Sequence, residues 1–150
     1  MGHGMDTGIT TRAEAERIPG AGGDDLLVRL ETSGDDPISV IEGISTDREW
    51  APRHAHPWDE LTYILEGTME FQIGEQQALG EAGALVSLPR GVPHSLRVPD
   101  GQVRYLMIAI GAPAVDFVRE VGQAYAEGPS LGRLVAIAER HGVIPAFTSE

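Results

Sequence analysis

A chain of 150 residues is long enough to bury one domain core without disulfide or metal staples. Its 11 basic and 23 acidic side chains give a net charge of −12, which excludes the clustered positive surface that nucleic acid and anionic lipid require. The absence of Cys and Lys removes disulfides, thiolate ligands, cysteine nucleophiles and lysine Schiff bases, and the absence of Asn removes N-glycosylation.

Residues 1–25 are polar and Gly-rich and read as a flexible leader, in which Met1 to Met5 form a loose start and His3 carries no chemistry. Ala13 to Ile18 have room for a short helical stretch before Pro19-Gly20. Leu26 to Leu30 is a short strand, and Ile38 to Ile44, rich in β-branched side chains, is another. A loop through Trp50 and Pro52 leads to a strand carrying His54 and His56. Leu61 to Leu65 reads as a half-buried strand turned by Glu66-Gly67, and Met69, Phe71 and Ile73 alternate with Glu70 and Gln72 on the return. A polar loop with Gly74 and Gly80 follows. Ala84 to Leu88 is a strand ended by Pro89 to Pro93, and His94, Leu96 and Val98 share one face of the next. Val103 to Ile110 is nearly continuous apolar sequence and reads as a central strand.

The period changes after Pro113. Ala114, Phe117, Val118, Val121 and Tyr125 fall at helical spacing, and Gly128-Pro129 closes that segment. Ser130 is placed to cap a second helix with Leu131, Leu134, Ile137 and Ala138 on one face. Arg140 and His141 sit in its last turn before the stop at Gly142, so His141 has a capping explanation and no catalytic one. Short strands at turn-punctuated spacing followed by two helices predict an all-β barrel or jelly roll with a C-terminal helical tail. The barrel spans residues 26–111, and residues 112–150 are a helical extension of the same domain.

The chemistry concentrates in His54-Ala55-His56-Pro57-Trp58-Asp59-Glu60. On a strand, side chains at i and i+2 project from one face roughly 6.5–7 Å apart, so both rings can grip one ion. Pro57 redirects the backbone and lets Glu60 approach from another angle. His94 is the candidate fourth ligand. Arg53 and Arg90, beside these segments, read as solvated surface charges or as guides for an anion.

These residues resemble the cupin family, small double-sheet barrels with a metal bound inside. Its first motif, G-x5-H-x-H-x3,4-E-x6-G, is matched by His54, His56, Glu60 and Gly67, with Arg48 at the leading Gly position. Its second, G-x5-P-x-G-x2-H-x3-N, is matched by Gly83, Pro89, Gly91 and His94, with Val98 in place of the closing Asn. The departures fall on a turn position and on what reads as a surface-type polar position. The resemblance implies a double-stranded β-helix whose metal is held by His54, His56, Glu60 and His94. Residues 138–145 are also loosely similar to small cupins described as quercetin 2,3-dioxygenase-like.

Three imidazoles and one carboxylate suit Fe(II) first, and also accept Mn, Ni, Co, Cu or Zn. Such a site leaves room for substrate or O2, with Glu60 as the catalytic base. Alternation puts Thr62, Ile64, Met69, Phe71 and Leu96 inward, either as a substrate pocket or as barrel core. Three functions are open: a dioxygenase on a flavonol-like or other enolisable small molecule, a non-redox isomerase, lyase or cyclase, and a binding module without turnover. No apolar run approaches the ~20 residues of a membrane span, so a cytoplasmic protein is expected, with a homodimer implied by the resemblance and neither nucleic acid nor membrane as partner.

Overall fold

The computed structural model describes residues 5–20 and 24–146, so the start at Met1 to Gly4, including His3, lies outside the described residues. Two antiparallel sheets form a jelly-roll barrel. Across the first run β1 (Glu16–Pro19), β2 (Asp25–Glu31), β3 (Ile38–Ser45), β10 (Val103–Ile110), β5 (Asp59–Glu66) and β8 (Leu85–Leu88). Across the second run β11 (Ile144–Pro145), β4 (His54–Ala55), β9 (His94–Arg97), β6 (Thr68–Ile73) and β7 (Gln76–Glu81). The helices α1 (Ala114–Glu127) and α2 (Leu131–Arg140) follow β10. Among the described residues no helix is long and apolar enough to cross a membrane.

Alternation on β5 and β6 drives Ile64, Met69 and Phe71 between the sheets, where they are fully buried with Leu88, Val98 and Val103. Each such side chain contributes about 1.5–3 kcal/mol by leaving water. Val98 is therefore a core residue, 1% exposed; the second motif's last position is apolar here because it packs inside the barrel. The turn from β5 to β6 needs Gly67: its φ is +83°, and a Cβ would stand 2.1 Å from the Gln102 carbonyl oxygen.

A second cluster, Trp58, Ala109, Ala114, Ala138 and Val143, joins the barrel to the helices. A third, Ile18, Val28, Ile41 and Val115, seats α1 on the first sheet. Gly122 lets α1 approach β1 closely, since a Cβ there would meet the Pro19 carbonyl oxygen at 2.3 Å. On the outward face of the first sheet, the buried Glu42 carboxylate receives Arg12, Arg29 and Arg104 at 2.8, 2.9 and 3.2 Å. Burial alone would raise its carboxyl, but the guanidinium groups hold it below the ordinary range. The same face leaves Tyr63, Leu85 and Ile110 exposed.

The structure corrects several local expectations. The stretch from Ala13 to Ile18 is not helical: a 3-10 turn at Arg12–Glu14 gives way to β1, which pairs with β2 and buries Ile18. Part of the expected leader thus belongs to the sheet. The polar stretch after Gly74 is strand β7, paired with β6 from Thr68 to Ile73. Only Gly80 of β7 is buried, so an edge strand with water on both faces offered no alternation to read. The strand bearing His54 ends at Ala55, and His56 lies beyond it. Ser130 caps α2 as expected, its hydroxyl accepting from the Arg133 N–H.

Candidate metal centre

His54 on β4 stands directly opposite His94, the first residue of β9. His56 joins them from the turn after β4, where its Nδ1 bonds the Trp58 carbonyl at 2.9 Å and its ring stacks on the Trp58 indole at 4.6 Å and 9°. Ring centroids are 4.6 Å apart for His54 and His94, 4.6 Å for His56 and His94, and 5.8 Å for His54 and His56. One nitrogen from each ring lies within 4.8 Å of the others.

All three rings are oriented in the same way. Nδ1 of His54 faces the Pro52 carbonyl oxygen at 2.8 Å, and Nδ1 of His94 faces that of Val92 at 3.1 Å. A carbonyl oxygen only accepts, so each Nδ1 carries the proton and donates, leaving a lone pair on each Nε2. Burial pushes His54 below its ordinary value. Burial, and then the neighbouring His54, push His94 down to about 4. Both rings are therefore neutral at neutral pH, the form that ligates a metal.

Glu60, inward on β5, places Oε1 3.2 Å from the His56 Nε2 and accepts the Trp58 indole N–H, also at 3.2 Å. Burial opposes its charge, but His56 and His94 beside it hold the carboxyl below the ordinary range. The His56 Nε2 is nevertheless buried without a hydrogen-bond partner: the carboxylate is near enough to attract a charged ring but not aligned to hydrogen-bond. With Nδ1 given to the Trp58 carbonyl, a neutral His56 ring would turn the lone pair of Nε2 towards that carboxylate, two acceptors with nothing between them. A cation at that point satisfies both, so the donor set fits a divalent metal.

The structure thus brings together His54, His56 and His94, with Glu60 touching the set through His56. The expected pocket residues lie elsewhere. Ile64, Met69 and Phe71 fill the barrel core, Leu96 packs against them, and Thr62 is 2% exposed beside Glu60 on β5. The reading of these positions as core is the one the packing supports. Facing inward put Ile64, Met69 and Phe71 in close-packed surroundings. A cavity of about 400 Å³ has His54, Pro52 and Val143 on its barrel side. Its other wall is the apolar faces of the helices, Phe117, Val121 and Tyr125 of α1 with Leu134, Val135 and Ala138 of α2.

Arg53 donates to the Gly74 carbonyl and Arg90 pairs with Asp59 at 3.0 Å; neither belongs to the histidine set. His141 caps α2 and pairs with Glu120. Sequence reading gave no role to Trp58, which both stacks on His56 and anchors Glu60. Its place between the second histidine and the glutamate was the available signal.

A family model described as Cupin domain matches residues 44–109, which hold all four of these positions and end before α1. No protein with curated annotation matches the chain in sequence. Among solved structures, an RmlC-like cupin from Shewanella frigidimarina aligns at 17% identity over 75% of this chain and 97% of its own, TM-score 0.64. The polyketide cyclase RemF from Streptomyces resistomycificus aligns at 21% identity over 86% and 99%, TM-score 0.60. Pac13, a nucleoside dehydratase from Streptomyces, aligns at 15% identity over 71% and 83%, TM-score 0.58. These identities speak for a shared fold. Residues 44–109 thus match a cupin domain in sequence, across the histidine segments, and the chain as a whole shares the cupin fold.

Proposed function

We propose that the chain is a metal-dependent enzyme acting on a small, enolisable, oxygen-chelating molecule, with His54, His56, His94 and Glu60 holding the ion and a dioxygenase-type oxidation as the reaction served. The observation that carries this reading is the orientation of the rings: every Nδ1 donates to a carbonyl, and the buried His56 Nε2 faces a carboxylate with no hydrogen bond between them. Fe(II) is the ion we assign, from a donor set that Mn, Ni, Co, Cu and Zn also tolerate. Bound there, it would supply a Lewis acid for substrate oxygens and a redox partner for O2.

Glu60 does the proton work. Ionised and steadied by the Trp58 N–H, it takes a proton from the enol hydroxyl of a flavonol-like substrate, or from the carbon beside the carbonyl of another enolisable one, and the electron pair left behind is shared with the oxygen as an enolate. An enolate is electron-rich enough to react with O2. It is equally the nucleophile of a cyclisation, or the species that expels a β-hydroxyl in a dehydration. That second, non-redox reading is favoured by the fold likeness to RemF and Pac13, the first of which aligns over 86% of this chain and 99% of its own. The exposed Tyr63, Leu85 and Ile110 support pairing of two copies through the outward face of the first sheet.

The test is metal analysis of protein purified without oxygen, followed by an O2-uptake screen of quercetin and other enolisable substrates. O2 consumed in step with turnover supports the dioxygenase. Turnover without O2 moves the chain to the non-redox reading, and binding without product in either atmosphere overturns the enzyme. Glu60→Gln should keep the fold and lower turnover by about 100-fold or more; full activity in that variant removes Glu60 as base.

A further inference from the structure

An amphipathic helix packed on a barrel normally spends its apolar face on that barrel. Here α1 divides its apolar residues in two. Ala114, Val115, Gly122 and Ala124 are buried in the packing of the fold. Phe117, Val121 and Tyr125, spaced by four, line the cavity with His54 opposite. At a rise of 1.5 Å per residue the lined length from Phe117 to Tyr125 is about 12 Å. Its inner end is at Phe117, whose ring lies 5.9 Å from Trp58, itself stacked on His56. Its outer end is at Leu131, which also lines the cavity and is 65% exposed.

In the barrel interior Ile64, Met69 and Phe71 are fully buried in a packed core. A ligand in this cavity reaches His54 along the helices. Of the lining residues, only His54 and Tyr125 carry polar side-chain atoms, and no charged side chain is among them. A charge carried into the body of this cavity would lose its water without gaining a partner.

We propose that the space between β4 and the α1–α2 pair is the substrate pocket, that Val121 and Leu134 set its specificity, and that it takes an elongated neutral molecule, apolar along its length, with its oxygens at the His54 end. The pocket rests on the reading of the histidine cluster as a working metal site, but its walls can be tested apart from it. The probes are phenol and 4-hydroxybiphenyl, titrated by calorimetry into the metal-loaded protein. The second ring should raise affinity by about tenfold or more through the apolar area it buries.

Val121→Trp should remove that gain while leaving metal content and phenol binding unchanged. If the bulky variant does not fold, Leu134→Ala, which widens the pocket, should weaken 4-hydroxybiphenyl by roughly three- to tenfold. Equal binding of both probes, or wild-type affinity for 4-hydroxybiphenyl in the folded helix variants, overturns the pocket. His94→Ala separates the two readings, because His94 is in the metal set but not in the cavity wall. It should lose metal and still bind 4-hydroxybiphenyl; a wild-type protein that takes no metal but shows the same probe gain sinks the metal reading alone.

Discussion

Along β5 the inward side chains run from Glu60 through Thr62 to Ile64, and along β9 from His94 through Leu96 towards Val98. Over four residues, about 13 Å of strand, the interior changes from ionisable groups around a common point to close-packed apolar side chains. The two regions share strands, register and burial, yet the first carries an unpartnered nitrogen and the second a continuous core. The same backbone regularity supports both, because a sheet fixes where side chains point and leaves their chemistry to the sequence. What distinguishes the histidine region is its neighbours: the Pro52, Trp58 and Val92 carbonyls that lock the rings, and the helices that leave a cavity beside His54.

The largest effects should come from exchanging the fates of the two regions. Phe71→Ala should cost about 3–5 kcal/mol in chemical denaturation, as expected for a cavity in a fully packed core, with metal content per folded molecule unchanged. His94→Ala should do the reverse, losing metal retention while destabilising the metal-stripped protein by less. If the two variants lose metal equally, the barrel has one cooperative interior and the contrast fails.

Acid should separate the regions next. The unfolded chain protonates His94 near its ordinary 6.5, whereas the folded protein holds it down to about 4. Between those values the unfolded state binds more protons, so the metal-stripped protein should lose stability as pH falls from 6.5 to 4, by at most about 3 kcal/mol, and this group adds no further loss below. Asp24 works the other way: burial raises it from 3.8 to about 6, so acidification across that window relieves the fold. Asp24→Asn should therefore steepen the acid loss in urea titrations. A flat profile from pH 6.5 to 4 in that variant would contradict a buried neutral histidine cluster.

Smaller effects probe the helices. Gly122→Ala puts a Cβ against the Pro19 carbonyl and should cost about 1–3 kcal/mol by pushing α1 off β1, measured in the same denaturation series. Ser130→Ala removes the cap hydroxyl of α2 and should cost about 1 kcal/mol; a larger loss would mean that α2 holds the barrel together as well as walling the cavity.

The histidine cluster and the glutamate beside it were legible because the residues follow local rules: a spaced pair of histidines, a glutamate past a proline, and a histidine after a Pro-Gly turn. The helices were legible from their period, down to the Ser130 cap. Strand β1 was not, because pairing with β2 overrode a sequence that could also have turned. Strand β7 was not, because an edge strand with one buried glycine has no contrast between its faces. Whether the inward residues were pocket or core was not legible, for a different reason. Alternation tells which side chains face inward, but whether they meet each other or empty space depends on how two sheets and two helices close. Thus Ile64 and Phe71 became core, while Val121 and Leu134, spaced like core residues, became cavity wall.

Strand β4 holds His54 with only two residues of its own, and its outer neighbour is β11, where Ile144 and Pro145 stand opposite Ala55 and His54. The Ala146 N–H adds a bond to the Arg53 carbonyl. During synthesis every metal-ligand candidate is added to the chain before residues 144–146 are. Until they arrive, the segment bearing His54 is an edge with one pairing instead of two. A metal held by His54, His56 and His94 would therefore be fully enclosed only once the strand that pins β4 has paired, and not as soon as the last histidine has appeared.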